Sequence, residues 1–288
     1  MRSLLFVPAH DARKLAKGLG CGADALIVDL EDAVPEADKA RARGLCAEFV
    51  SAHQASMPLV VRVNALQTGL LLDDLAAVVR AQPWAIMLPK CAGAADVQRV
   101  DAYLSALEAR EGLAVGSTRI LSIATESAAS LFGLNGYAAA GTRLAGLMWG
   151  GEDLAADIGT VANRGTDGRY TAPFDLARTL TLLGATAAQV PAIDAVYTNF
   201  RDAAGLQTEA AEAVRDGFSA KAAIHPDQVG VINAAFSPSA ADVDWAMRVI
   251  AAFDAAPAAG AISLDNKMLD RPHYRSAQRV LSRVMKTP

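Results

Sequence analysis

The sequence predicts a closed (β/α)8 barrel carrying a C-terminal helical extension, and three observations lead there. Eight short runs of Val, Ile, Leu and Ala are near-continuously apolar, as strands buried on both faces are. Longer segments with one apolar and one charged face separate them. Every run then stops in polar or turn residues, and in a barrel those strand ends converge on one rim, where active sites are built. An open doubly wound sheet is the alternative.

In order, the runs cover residues 4–7, 25–30, 59–63, 85–88, 119–124, 144–149, 190–193 and 222–224. They end in Pro8-Ala9-His10, Asp29-Leu30-Glu31-Asp32, Arg62-Val63-Asn64, Pro89-Lys90, Thr125-Glu126, Gly151-Glu152-Asp153, Asp194 and His225-Pro226. Helical patterns occupy 36–52, 71–81, 94–110, 173–187 and 208–216; Asp73 and Asp74 sit early in the second, where negative charge suits the helix dipole. Only 237–240 (SPSA) and 255–261 (AAPAAGA) look like hinges. Two units are therefore expected: a barrel over 1–236, and an extension over 237–288 made of one long helix, a loop and a last helix.

Composition agrees. The 288 residues are 52% hydrophobic, enough for one large core, and length suggestive of two domains is ordinary for one α/β barrel. Aromatics at 6% with abundant alanine suit a helix-covered sheet better than a sandwich. A formal charge of −4 without a basic stripe argues against a nucleic-acid partner. Cys21, Cys46 and Cys91 are scattered, which fits reduced thiols and a cytoplasmic setting and supports neither a disulfide frame nor zinc. No run approaches the length of a membrane span, and the apolar start at 4–8 is too short for a signal-peptide core. GxGxxG, GxxxxGK[ST], GxSxG and HExxH are all missing, so nicotinamide, nucleoside triphosphate, serine-hydrolase and zinc-hydrolase chemistries lack support.

What the strand ends do carry is acid. Glu126 and Asp153 are 27 positions apart, about one strand–helix–strand unit. Two carboxylates on adjacent strand ends suit a hard dication such as Mg2+, with Mn2+ as the variant, and leave positions for water and substrate oxygens. Capping the following helices is the alternative reading, and the one preferred for Glu152. Asp29, Glu31 and Asp32 repel one another unless compensated. They are expected to hydrogen-bond metal-bound waters or orient Arg62; an ion-pair network with Lys39, Arg41 and Arg43 is the alternative. Arg62 closes a buried strand, so it is paired (with Glu31 or Asp32), or functional as a fork for a carboxylate or enolate oxygen, or both. Lys90 and His225 are further substrate-contact candidates, a surface charge and a satisfied structural histidine being their plainer readings; Lys221 is treated alike.

The runs RSLLFVPA (2–9), DLEDAV (29–34) with Lys39 and Arg41, VRVN (61–64), LPK (88–90), TES (125–127), GGEDLAADIG (150–159), AIDAVY (192–197), GFSAKAAIHPDQVGVINAAFSP (217–238) and GAISLDNKMLDRP (260–272) together resemble the citrate lyase β-subunit-like family. That family includes malyl-CoA and citramalyl-CoA lyases. The resemblance spans nearly the whole chain in one order. It implies Mg2+ on Glu126 and Asp153, Arg62 on the oxo acid or enolate, and a catalytic Asp270 in a C-terminal unit that completes a neighbouring subunit's site in a homotrimer or hexamer. Beside these, the residues themselves make Glu31 and Asp32 catalytic candidates and Lys90, Glu126 and His225 substrate-contact candidates. From the residues alone Asp270 reads as a helix N-cap before Arg271-Pro272. Departures are PAHDARK (8–14) where a Gly-Asn-Arg type turn is usual, and Asn199 where relatives place Asp; both are expected to bear on the acyl or nucleotide pocket. The implied activity is carbon–carbon cleavage of a 3-hydroxy-3-carboxyacyl thioester such as citramalyl-, malyl- or citryl-CoA, or its reverse, or thioester hydrolysis. The alternatives are a citrate lyase β subunit serving an acyl carrier protein, and a metal-dependent pyruvate aldolase without CoA.

Overall fold

The computed structural model describes residues 1–257 and 259–284. Eight parallel strands close on themselves: β1 (Ser3–Pro8), β2 (Ala25–Asp29), β3 (Leu59–Arg62), β4 (Ala85–Leu88), β5 (Arg119–Ile123), β6 (Leu144–Met148), β7 (Ala192–Asp194) and β8 (Ala220–Ala223). β8 pairs back onto β1, Leu4 opposite Ala222. Around them run α1 (Ala12–Leu19), α2 (Lys39–His53), α3 (Leu71–Val78), α4 (Ala94–Arg110), α5 (Ala128–Leu131), α6 (Glu152–Asp157), α7 (Ala172–Ala187), α8 (Ala203–Asp216) and α9 (Pro226–Phe236).

The apolar runs are continuous because alternate residues serve two cores. Leu4, Ile27, Val60, Met87, Leu121, Ile123 and Met148 fill the barrel interior. Leu5, Leu26, Val28, Val61, Ile86, Ile120 and Leu147 face the helices. The strand period of two therefore places Asp29 and Arg62 inside the rim, in line with Ile27 and Val60.

Two strands start where the pattern did not put them. The run at 190–193 begins pairing only at Ala192, since Pro191 has no N–H for the ladder although its carbonyl accepts from Leu147 N–H at 3.0 Å. β8 starts at Ala220 and contains Lys221, fully buried, which an apolar template skips. Its ammonium is satisfied behind the barrel by Asp194 (2.7 Å), Glu209 (2.8 Å) and the Ala195 carbonyl (2.8 Å).

The extension holds α10 (Ala240–Asp254) and α11 (Arg271–Val284), but the expected loop between them is a hairpin, β9 (Ala261–Leu264) and β10 (Lys267–Asp270). Asp265 and Asn266 turn it, with φ of 49° and 59°. Both central residues at positive φ define the turn that matches strand twist, and Asp and Asn tolerate it. The extension has its own small core of Ala246, Val249, Phe253, Leu269 and Ala277. The 237–240 hinge is shorter than expected, because Ser239 already caps α10. Ala258 of the second expected hinge lies outside the described residues. Arg279 and Arg283 of α11 join Leu4, Leu121 and Ala220 around a cavity at the N-terminal ends of the strands. The extension thus sits at the end of the barrel opposite the acid-rich rim.

At that N-terminal end a buried clamp ties α4 to β6. Arg143 donates to both oxygens of Glu108, at 2.9 and 2.7 Å, and Glu108 also accepts from Gly116 and Thr118 N–H at 2.8 Å each. Burial opposes ionisation, but these donors outweigh it and hold the carboxyl at about 2. Glu108→Gln removes one of the two carboxylates paired with the buried Arg143, leaving Asp101 alone, and should lower unfolding free energy by about 1–3 kcal/mol in denaturant titration. Because the folded pKa is depressed, the wild-type contribution should be complete above the ordinary 4.5 and fade as pH falls towards about 2.

Candidate active site

The rim after β2, β3, β4, β5 and β6 gathers charge of both signs. Arg62 grips Asp29 with two bonds of 2.7 Å, from Nε and Nη2. Its remaining nitrogen lies 3.0 Å from Glu31 and 3.6 Å from Asp32. Asp29 is fixed from behind as well, accepting from Glu31 N–H at 2.9 Å and Ala33 N–H at 3.2 Å. Asp29 is thus the main partner of Arg62, where the sequence reading named Glu31 or Asp32. A guanidinium fully engaged in this way stays charged; its pKa is held up by Asp29 and Glu31 despite burial.

The expected alternative network with Lys39, Arg41 and Arg43 does not form. Arg41 meets Asp38, and Arg43 meets Asp74 at 2.7 Å. Lys39 holds the loop backbone instead, donating to the Leu30 and Glu31 carbonyls and to Asn64.

Lys90 turns out to be the hub. Its φ of 50° puts a non-glycine residue in the left-handed region, a conformation that costs roughly 1–3 kcal/mol and is kept where function needs it. The turn aims the Lys90 N–H at Glu126 and sends the ammonium to Glu31 at 2.7 Å, Asp153 at 3.5 Å and Asp32 at 3.7 Å. Burial would lower the Lys90 pKa, but the bond to Glu31 and the charges of Glu31, Glu126 and Asp153 raise it instead. Nothing in sequence spacing marks that positive φ; the residue type and strand-end position were the only signal.

Glu126 carries the opposite imbalance. Burial, joined by the charges of Glu31 and Asp153, pushes its carboxyl up to about 8 against the Lys90 N–H. Glu31 is raised too, chiefly by burial. Glu126 and Asp153 line one cavity of about 320 Å3 together with Asp29, Asp32 and Arg62. Its apolar walls include Phe6, over whose ring Arg62 sits at 4.9 Å, and Trp149, whose indole N–H is anchored on Asp194 at 2.7 Å. Tyr170 stands edge-on to Trp149. These walls come from loop and strand positions that periodicity reads as ordinary core.

Among the described residues no group of three or more His, Cys, Asp and Glu side chains could hold a metal ion unaided. Glu126 and Asp153, among the acids that line the cavity, are hard carboxylate donors, which suits Mg2+ completed by water and ligand oxygens. The raised carboxyl of Glu126 is itself the mark of an acid group short of positive charge. Gly150 makes room for it: a Cβ there would fall 2.7 Å from Glu126 Cγ. Gly150→Ala is therefore expected to displace Glu126 and weaken Mg2+ binding about 10–100-fold in isothermal titration, with the fold intact by circular dichroism.

Four residues named from the sequence lie elsewhere. His225 caps α9, accepting from Asp227 N–H at 3.3 Å, and stacks on Phe200; its neighbour Ile224 lines the cavity and His225 does not. Asp194 and Lys221 form the buried pair behind Trp149. Asp270 ends β10 in the extension and is not among the cavity's lining residues. In the unusual first loop Asp11 caps α1.

A parallel barrel with paired carboxylates, a strained lysine and a fixed guanidinium at its C-terminal rim defines a barrel enzyme. Comparison with known proteins gives the family. Residues 2–226 match the HpcH/HpaI aldolase/citrate lyase family, and residues 175–285 match the carbon–carbon bond lyase family of the TIM-barrel fold. Citrate lyase subunit beta of Leuconostoc mesenteroides subsp. cremoris is 34% identical over 97% of this chain and 92% of its own length. A (3S)-malyl-CoA thioesterase of Cereibacter sphaeroides is 35% identical over 98% of this chain and 94% of its own. The crystal structure of the protein CitE of Mycobacterium tuberculosis, in complex with magnesium, acetoacetate and coenzyme A, superposes with a TM-score of 0.80 at 33% identity, over 99% and 98% of the two chains. The chain belongs to the HpcH/HpaI aldolase/citrate lyase family and is a lyase.

Proposed function

We propose that the chain is a Mg2+-dependent lyase that breaks or makes the carbon–carbon bond between the α- and β-carbons of a 3-hydroxy-3-carboxyacyl-CoA, of the malyl, citramalyl or citryl kind. The observation that carries the reading is the convergence of Glu126, Asp153 and Arg62 on one cavity, Glu126 with its carboxyl raised to about 8. Glu126 and Asp153 would hold the ion, which when bound supplies a Lewis acid for the oxo-acid oxygens.

The chain's own groups do the rest. Arg62, immobilised by Asp29, offers a fixed positive charge for the negative charge that the β-oxygen carries once its proton is taken, before the bond breaks. Asp32, the exposed acid of the rim, is open to take the hydroxyl proton. The electron pair of the broken bond stays on the α-carbon as a thioester enolate, which Asp270 protonates from a neighbouring subunit. Lys90 holds Glu31 and Asp153 in place through its ammonium, 2.7 and 3.5 Å away. Phe6, Trp149 and Tyr170 exclude water from the reacting carbons.

The near-equal identity to citrate lyase β subunits supports a second reading, a thioester carried by an acyl carrier protein. Purified protein with Mg2+ and a panel of malyl-, citramalyl- and citryl-CoA decides between them. Release of oxo acid and acyl-CoA from a free CoA thioester is the expected result. Turnover only with a carrier-bound thioester moves the assignment to the second reading, and pyruvate binding without any CoA affinity sinks both.

A further inference from the structure

Where β10 hands over to α11, Asp270 does not use its carboxylate as an aspartate ordinarily does at a helix start. An N-cap side chain accepts from a backbone N–H two or three residues on. Here Oδ1 lies 2.6 Å from Nδ1 of His273, and the Asp270 backbone N–H donates to that same nitrogen at 3.2 Å. The two contacts make opposite demands on Nδ1. Accepting from the N–H requires a bare lone pair, whereas bonding to a carboxylate requires an Nδ1 proton. A proton on Oδ1 satisfies both contacts, and one moved to Nδ1 keeps the bond to the carboxylate while releasing the backbone N–H. On oxygen, the acid donates to the imidazole; on nitrogen, the imidazolium donates to the carboxylate.

The surroundings hold this pair still while leaving it reachable. Leu269 and Ala277 are buried in the core of the extension, and Tyr274 packs against it, so both ends of the 269–277 segment are anchored. Pro272 sits in the first turn, where its fixed φ favours the helix. The side chains of Asp270 and His273 remain 42% and 51% exposed, open to a substrate or a second copy of the chain.

We propose that His273 is the positioning residue of Asp270 and the holder of its proton. The inference rests on the assignment of the α-carbon proton to Asp270. In cleavage the enolate carbon takes the proton from the Asp270 carboxyl, leaving a carboxylate. Nδ1 was the acceptor in the protonated state and the ring keeps its own proton on Nε2, so water returns one proton to the Oδ1–Nδ1 pair and restores it. In condensation the same proton travels the other way, from the α-carbon to Asp270 and on to Nδ1. No other reactant is needed, and charge balances at each transfer.

The test uses the full-length protein with Mg2+ and acetyl-CoA in D2O, following deuterium entry at the thioester α-carbon by mass spectrometry beside kcat and KM for cleavage. His273→Ala should slow exchange and kcat together, by about 10–100-fold, with KM little changed. Added imidazole should restore much of the exchange in this variant, an effect that a purely structural role would not produce. His273→Asn, which can orient Oδ1 but cannot carry the proton, should stay slow. Wild-type exchange in His273→Ala, or no response to imidazole, overturns the proposal. Asp270→Asn separates this from the parent reading: if it loses exchange while His273→Ala keeps it, only the histidine's role falls. If Asp270→Asn itself exchanges normally, the assignment of Asp270 falls first.

Discussion

Glu126→Gln is expected to abolish Mg2+-dependent turnover, lowering kcat by at least ~10^2–10^3-fold, and to remove the thermal stabilisation that Mg2+ gives the wild type. The amide keeps the shape and one acceptor oxygen, and still accepts from the Lys90 N–H, so the fold should survive. What it loses is charge, in the cavity where Glu31 and Asp153 already crowd the site with negative potential. Asp153→Asn should behave alike for the metal, and it also frees the Lys90 ammonium from one of its acids. The pH dependence follows from the same imbalance. Since the folded pKa of Glu126 is raised from 4.5 to about 8, the native state holds an extra proton between those values. Metal-free protein should therefore lose stability as pH rises through that window, and Mg2+, which requires the proton to leave, should bind more tightly as pH rises towards about 8. Melting curves with and without Mg2+ at pH 6 and pH 8.5 read both effects. A Glu126→Gln protein that still melts higher with Mg2+ would place the ion elsewhere.

The barrel was legible because its strands are buried on both faces, and a run such as Leu59–Val61 has no other economical explanation. Legibility failed where a charge had been absorbed into a strand. Lys221 falls just before the apolar run at 222–224, yet it lies within β8, where Asp194 and Glu209 neutralise it. It failed again at the hairpin, where Asp265-Asn266 was a turn signal of the right kind, set between strands too short to show alternation. In the site, residue type and position on the rim were readable while pairing was not. Arg62 could be seen to need a partner, but the choice of Asp29 over Glu31 depends on register, which sets Asp29 opposite Arg62 at the end of β2 and leaves Glu31 in the loop beyond. The role of Lys90 depends on a backbone angle, and that of His225 on a cap and a stacked phenyl ring, neither of which has a spacing signature.

Mixing two dead variants should make a live enzyme. Asp270→Asn and Glu126→Gln are each expected to lose turnover, and co-expression of the two chains should recover a measurable part of it. The argument is one of distance along the barrel. Glu126, Asp153 and Arg62 face the cavity at the C-terminal ends of the strands, while α11, which starts at Asp270, reaches the N-terminal ends at Arg279 and Arg283. Asp270 is not among the residues that line the cavity of its own chain, so the proposed role for it needs a second copy to supply the carboxylate. The rim also offers apolar surface for a neighbour, with Phe132 87% and Val161 105% exposed in the loops after β5 and β6, and Met268 is 72% exposed beside Asp270 on the extension. In a mixed assembly some sites then combine an intact Glu126 from one copy with an intact Asp270 from another. If Asp270 served its own barrel, no chain in the mixture would carry both groups and no activity would return. Light scattering on the same samples, showing assemblies larger than one chain, ties the recovery to a shared site; recovery by a strictly monomeric protein would contradict it.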